Sequence, residues 1–91
     1  MILYGAHDEI VPREPMARFV DGLPTRAAHR QTVALYPHGY HMLLRDLGRA
    51  LPTADIAAWI EDQAAPLPSG ADANARARLT GRAAPSEVAA R

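Results

Sequence analysis

Two short apolar runs, each closed by a glycine or proline, constrain this chain more than any other feature. The first is MILYG, Met1 to Gly5, and the second is QTVALYPHG, Gln31 to Gly39. Aliphatic, β-branched and aromatic residues fill both runs, and turn formers end them, which predicts buried strands over Met1–Tyr4 and Gln31–Tyr36. Between them lies PMARFVDGLP. Its Met16, Phe19, Val20 and Leu23 recur at i, i+3, i+4 and i+7, one face of a helix. Pro15 suits the first turn of that helix, Gly22 its end, and Pro24 closes it. Strands separated by a helix are parallel neighbours joined by a right-handed crossover. A second helix is predicted over Ala54–Ala65, with Ile56, Trp59 and Ile60 on one face, Thr53 as N-cap and Pro66 as the stop. The predicted fold class is therefore α/β, two parallel strands each followed by a helix.

That order has a chemical consequence. In a parallel sheet the loops at the carboxyl ends of the strands line up along one edge, where ligands bind. The loop after the first strand, residues 5–12, carries Asp8, and the loop after the second, residues 37–42, carries His41. The topology predicts that the two side chains meet although 33 residues separate them. A neutral imidazole takes and returns protons near neutral pH, and it works best when a carboxylate holds its tautomer and stabilises the imidazolium. Gly5 and Gly39 are expected to give both loops conformational latitude. The plainer reading makes Asp8 a turn residue and His41 a solvated side chain. A metal site built from His7, Asp8, His38 and His41 is the weaker alternative, because their spacing follows no strong zinc pattern. His7 and His38 otherwise read as loop surface or as neighbours of the pair, His29 as exposed, and Tyr36 and Tyr40 as packing residues.

The residues around these two positions carry a resemblance. LYGAHDEIVP resembles the acid-bearing loop of the α/β-hydrolases, and YPHGYHMLLRD followed by DIAAWI is similar to that fold's histidine loop and last helix. The likeness is closest to lysophospholipases and monoacylglycerol-lipase-like serine hydrolases, and it covers residues 1 to about 63. In that family the triad runs serine, acid, histidine along the chain. The resemblance implies that Asp8 is the acid and His41 the base, and that Val11 and Met42 lie near an acyl pocket. It implies hydrolysis of carboxylic esters of lipid type, with no metal or organic cofactor. The nucleophile's G-x-S-x-G elbow has no counterpart here: the two serines, Ser69 and Ser86, both follow His41. The expectation is the C-terminal part of such a hydrolase, inactive alone, whose partner is the missing N-terminal portion or a second copy. The alternative is a non-catalytic binding module or remnant that uses an exposed sheet edge.

Composition narrows the remaining choices. Ninety-one residues make one small domain with a limited core. With so few strands the chain is expected to fold marginally or to need a partner. There is no cysteine, so disulfides and thiolate metal sites are excluded. Ten Arg balance ten acids with no Lys, which argues against nucleic acid as the main partner. No run is long enough for a membrane span and no secretory leader is evident, so a cytoplasmic protein is expected. Residues 66–91, rich in Ala, Arg and Pro, are expected to form a disordered tail, with at most a transient helix in ANARARL.

Overall fold

The computed structural model describes residues 1–24 and 31–81. Strand β1 (Ile2–Gly5) is followed by helix α1 (Arg13–Asp21), strand β2 (Val33–Tyr36), a 3-10 turn at Leu43–Arg45, helix α2 (Ala50–Glu61) and a short helix α3 (Ala75–Thr80). β1 and β2 pair in parallel, with Leu3 opposite Ala34 and Gly5 opposite Tyr36. The chain is thus a small α/β domain with a two-stranded parallel sheet.

Side-chain alternation along the strands sends the apolar residues to two faces, and both faces are covered. On one face Tyr4, Val33 and Leu35 pack against Val20 of α1 and against Ala75 and Leu79 of α3. On the other, Ala34 and Tyr36 pack against Leu67 and Ala71, with Leu3 and Trp59 beside them. Of the helical face predicted for α1, Val20 is buried and Met16 and Leu23 pack onto the core. Phe19 is not part of it and stands 56% exposed. α2 also departs from expectation. It begins at Ala50 rather than Ala54, so Thr53 lies in its first turn and caps nothing. Pro52 is tolerated there because first-turn N–H groups have no partner inside the helix. Asp62, whose carboxylate accepts the Ala64 N–H at 3.0 Å, turns the chain out before Pro66 is reached. Trp59 points inward, its indole N–H on the Thr32 hydroxyl at 3.1 Å, while Ile60 is exposed.

The largest correction concerns the expected disordered tail. Residues 67–80 are built into the core: Leu67, Ala71, Ala75 and Leu79 are all buried. The Leu35 N–H donates to the Ala71 carbonyl at 2.9 Å, so this segment covers the outer edge of β2. The helix anticipated in ANARARL is α3, ended by Gly81 in the left-handed region. The expectations for His29 and for residues 82–91, Ser86 included, lie outside the described residues.

Candidate active site

The loop after β1 folds back on its own carboxylate. Asp8 Oδ1 accepts the N–H groups of Ile10 at 2.8 Å and Val11 at 2.7 Å. The loop's exit is fastened by the Tyr4 hydroxyl, which donates to the Val11 carbonyl at 2.7 Å. Burial, then the Asp8 charge, pushes the Tyr4 phenol above its ordinary value, so it remains a neutral donor. Asp8 is left with Oδ2 free to face the second loop, where it meets His41 Nδ1 at 2.9 Å. The two residues predicted to converge at the carboxyl ends of the strands are therefore hydrogen-bonded.

The glycines allow this meeting for a reason other than the expected one. Neither has a positive φ. They are instead where the two loops touch: a Cβ on Gly5 would stand 2.4 Å from the Gly39 carbonyl oxygen and 2.7 Å from that of Tyr40. The Ala6 N–H donates to the Tyr36 carbonyl and the His7 N–H to that of Gly39, each at 2.9 Å, tying the two loops together just past the strands. Close backbone approach, not turn freedom, brings Asp8 under His41.

The electrostatics favour a carboxylate that orients an imidazole. Burial would raise the Asp8 carboxyl, but hydrogen bonds from the Val11 N–H, His41 and the Ile10 N–H outweigh it and hold the group below its ordinary value of 3.8. An ionised Asp8 accepts only, so Nδ1 of His41 carries the proton. In the neutral ring the Nε2 lone pair is then available, and Nε2 has no hydrogen-bond partner among the described residues. The Asp8 side chain is 6% exposed and that of His41 42%. His41 borders an open cleft of about 310 Å³ whose walls include Ile10, Tyr40 and Met42 on the apolar side and Glu9, Arg45 and Asp46 on the polar side. A larger hollow of about 470 Å³ lies at the opposite end of β2, beside Thr32 and Asp72, away from the acid–base pair.

The other residues singled out in the sequence divide as follows. Met42 lines the cleft. Val11 does not; its side chain packs against the core and its main chain serves Asp8 and Tyr4. The four-residue metal set does not form. His7 stands edge-on to His38 and to Tyr40, with ring centres 6.2 and 5.3 Å away, and His41 is taken by Asp8. Among the described residues, no three His, Asp or Glu side chains are grouped to hold a metal. Ser69 is not beside His41. Its hydroxyl donates to Asp55 Oδ2 at 2.5 Å and accepts the Ala71 N–H at 3.1 Å. Tyr36 packs as expected but also donates to Asp55 Oδ2 at 2.7 Å. Asp55 and Asp46 were missed in the sequence. Asp46 was legible as an acid five residues after the histidine, in a turn ahead of a helix. Asp55 gave no signal, because it lies within α2, outside the strand-end loops, and only packing brings Ser69 and Tyr36 to it.

No protein-family model, curated protein or solved structure matches the chain. Among the described residues, no helix is long and apolar enough to cross a membrane.

Proposed function

We propose that residues 1 to about 63 contribute the acid–base half of a serine-hydrolase site, with the nucleophilic serine supplied by another stretch of polypeptide. The observation that carries the reading is the 2.9 Å contact from Asp8 Oδ2 to His41 Nδ1 at the carboxyl ends of two parallel strands. In the proposed reaction Asp8 orients His41. His41 Nε2 takes the serine hydroxyl proton as the oxygen attacks an ester carbonyl, and gives that proton to the leaving alkoxide. The acyl-enzyme is cleared when Nε2 takes a proton from water, the hydroxide adds to the acyl carbon, and the serine leaves with the proton returned. The apolar wall formed by Ile10, Tyr40 and Met42 suits carboxylic esters with an apolar acyl chain, such as lipid esters. The mechanism calls for no metal or organic cofactor.

The test is to join the 91-residue chain to polypeptide encoded in frame upstream that carries a Gly-x-Ser-x-Gly elbow. Ester hydrolysis and fluorophosphonate labelling are then measured. The joined protein should turn over esters, and Asp8→Asn should lower kcat by roughly 10⁴-fold, as loss of the correct histidine tautomer does elsewhere. The 91-residue chain alone should take no label. Stoichiometric labelling of it would overturn the proposal, since Ser69 or Ser86 would then be the nucleophile.

One observation favours a second reading, a non-catalytic docking module. The N–H groups of Ile2 and Ala6 turn toward β2, so those of Leu3 and Gly5 face the other way, where no strand lies among the described residues. An open edge of this kind recruits another chain. If Asp8→Asn leaves the joined protein's activity unchanged, this reading takes the place of the first.

A further inference from the structure

We propose that Asp46 is the positioning residue for His41, its carboxylate deciding where the histidine loop stands and hence whether the Asp8–His41 bond forms. The inference rests on the acid–base reading given above. Asp46 Oδ2 accepts the N–H of Tyr40, the residue immediately before His41, at 3.0 Å. Its Oδ1 accepts the Leu47 N–H at 2.7 Å. Its carbonyl accepts the Arg49 N–H at 3.2 Å, where the chain enters α2. One half-buried residue thus closes a ring from Tyr40 to Leu47 and ties that ring to the start of a helix, with His41 inside it.

The ring is held from the opposite side as well. The His7 N–H of the acid loop donates to the Gly39 carbonyl at 2.9 Å. Consecutive residues are therefore fastened to different parts of the molecule, Gly39 to the acid loop and Tyr40 to Asp46, and His41 follows at once. Asp8 fixes where the ring nitrogen must be; Asp46 fixes where the backbone that carries the ring stands. Only a carboxylate of this length serves both N–H groups, since each oxygen takes one. Hydrogen bonds to an ionised acceptor are roughly twice as strong as neutral ones. An asparagine offers one accepting oxygen and an NH₂ that cannot accept, so it keeps one fastening and loses the other.

The experiment is NMR on the full 91-residue chain. It reads the protonation of the His41 ring nitrogens and the titration of the Asp8 carboxyl, two signals that a role confined to starting α2 would not move. The wild-type chain should carry the proton on Nδ1, with Asp8 titrating below its ordinary value. In Asp46→Ala the chain should keep its cooperative melting. The Nδ1–H signal should lose most of its intensity, and the Asp8 titration should move up toward the ordinary carboxylate range. Asp46→Asn should fall between the two. The proposal is overturned if Asp46→Ala leaves both signals unchanged, or if Ala and Asn variants alike unfold the chain, which would make Asp46 a general stability residue. A wild-type chain that itself lacks the Asp8–His41 bond would overturn the acid–base reading together with this inference, and is told apart by that spectrum alone.

Discussion

Asp8 and Asp55 are both carboxylates that accept three hydrogen bonds, and each takes one of them from a ring-bearing side chain of the β2 region. They nonetheless do different work. Asp55 is fully buried, and its partners are used up by it: the Tyr36 hydroxyl, the Ser69 hydroxyl and the Ser69 N–H, from a tyrosine itself 4% exposed. Burial, then the Asp55 bond and charge, pushes the Tyr36 phenol far above its ordinary value, so that oxygen is a permanent donor. Asp8 is nearly as buried, but its ring partner is half in solvent and keeps a second nitrogen with no hydrogen-bond partner among the described residues. The number of bonds to the acid does not separate a structural staple from a catalytic candidate. The unspent valence of the acid's partner does.

Three substitutions tell the two carboxylates apart. Asp55→Ala strands two hydroxyls and one N–H in or near the core, and each unsatisfied group costs on the order of 1–3 kcal/mol. Urea denaturation should show a loss of about 3 kcal/mol or more, with residues 67–80 released first. A loss no larger than that of an exposed alanine substitution would mean the staple is idle. Gly5→Ala comes next. Its new Cβ meets the Gly39 and Tyr40 carbonyls, and overpacking of this kind costs about 1–3 kcal/mol. The specific expectation is that the two loops part, so the Asp8–His41 bond is lost while the Asp55 staple, on a different contact, survives in hydrogen exchange.

The smallest effect is on pH dependence. The Asp8 carboxyl lies below its ordinary 3.8 in the folded chain. A lowered carboxyl adds stability that is present above the unfolded-state value and lost as pH falls through the folded one. Between about pH 5 and about pH 3, wild-type thermal melts should therefore drop further than those of Asp8→Asn. The difference is expected to be small, because the half-exposed His41 is screened by water. A larger drop in the Asn chain would reverse the sign and remove Asp8 as an ion-pair partner.

Much of the site was legible in the sequence, and much of the core was not. Asp8 and His41 could be placed together because strand runs, turn formers and a crossover helix are local patterns, and a parallel sheet converts them into a shared edge. The buried role of residues 67–80 was not legible in the same way, because the segment holds only two large apolar side chains, Leu67 and Leu79. Leu67, Ala71, Ala75 and Leu79 do recur every fourth residue, a signal that was available. Yet two of the four are alanines, whose small side chains carry little apolar signal, and only the sheet faces they pack against show their role. Phe19 errs in the opposite direction: its position and chemistry mark it for burial, and no described element covers it.

What the chain determined by itself is the β–α–β order, its parallel sense, and the delivery of one acid and one histidine to the same end of the sheet. These follow from side-chain period, helix punctuation and the handedness of crossovers, all carried by neighbouring residues. Packing, by contrast, sets the contact of Gly5 with Gly39, the hold of Asp46 on the histidine loop, and the reach of Asp55 to both Tyr36 and Ser69. Those contacts join residues far apart in sequence or depend on distances of a few tenths of an ångström. Unlike the Asp8–His41 bond, which the strand and loop pattern delivers to one sheet edge, these contacts have no local pattern to announce them, since their existence depends on how the intervening elements pack.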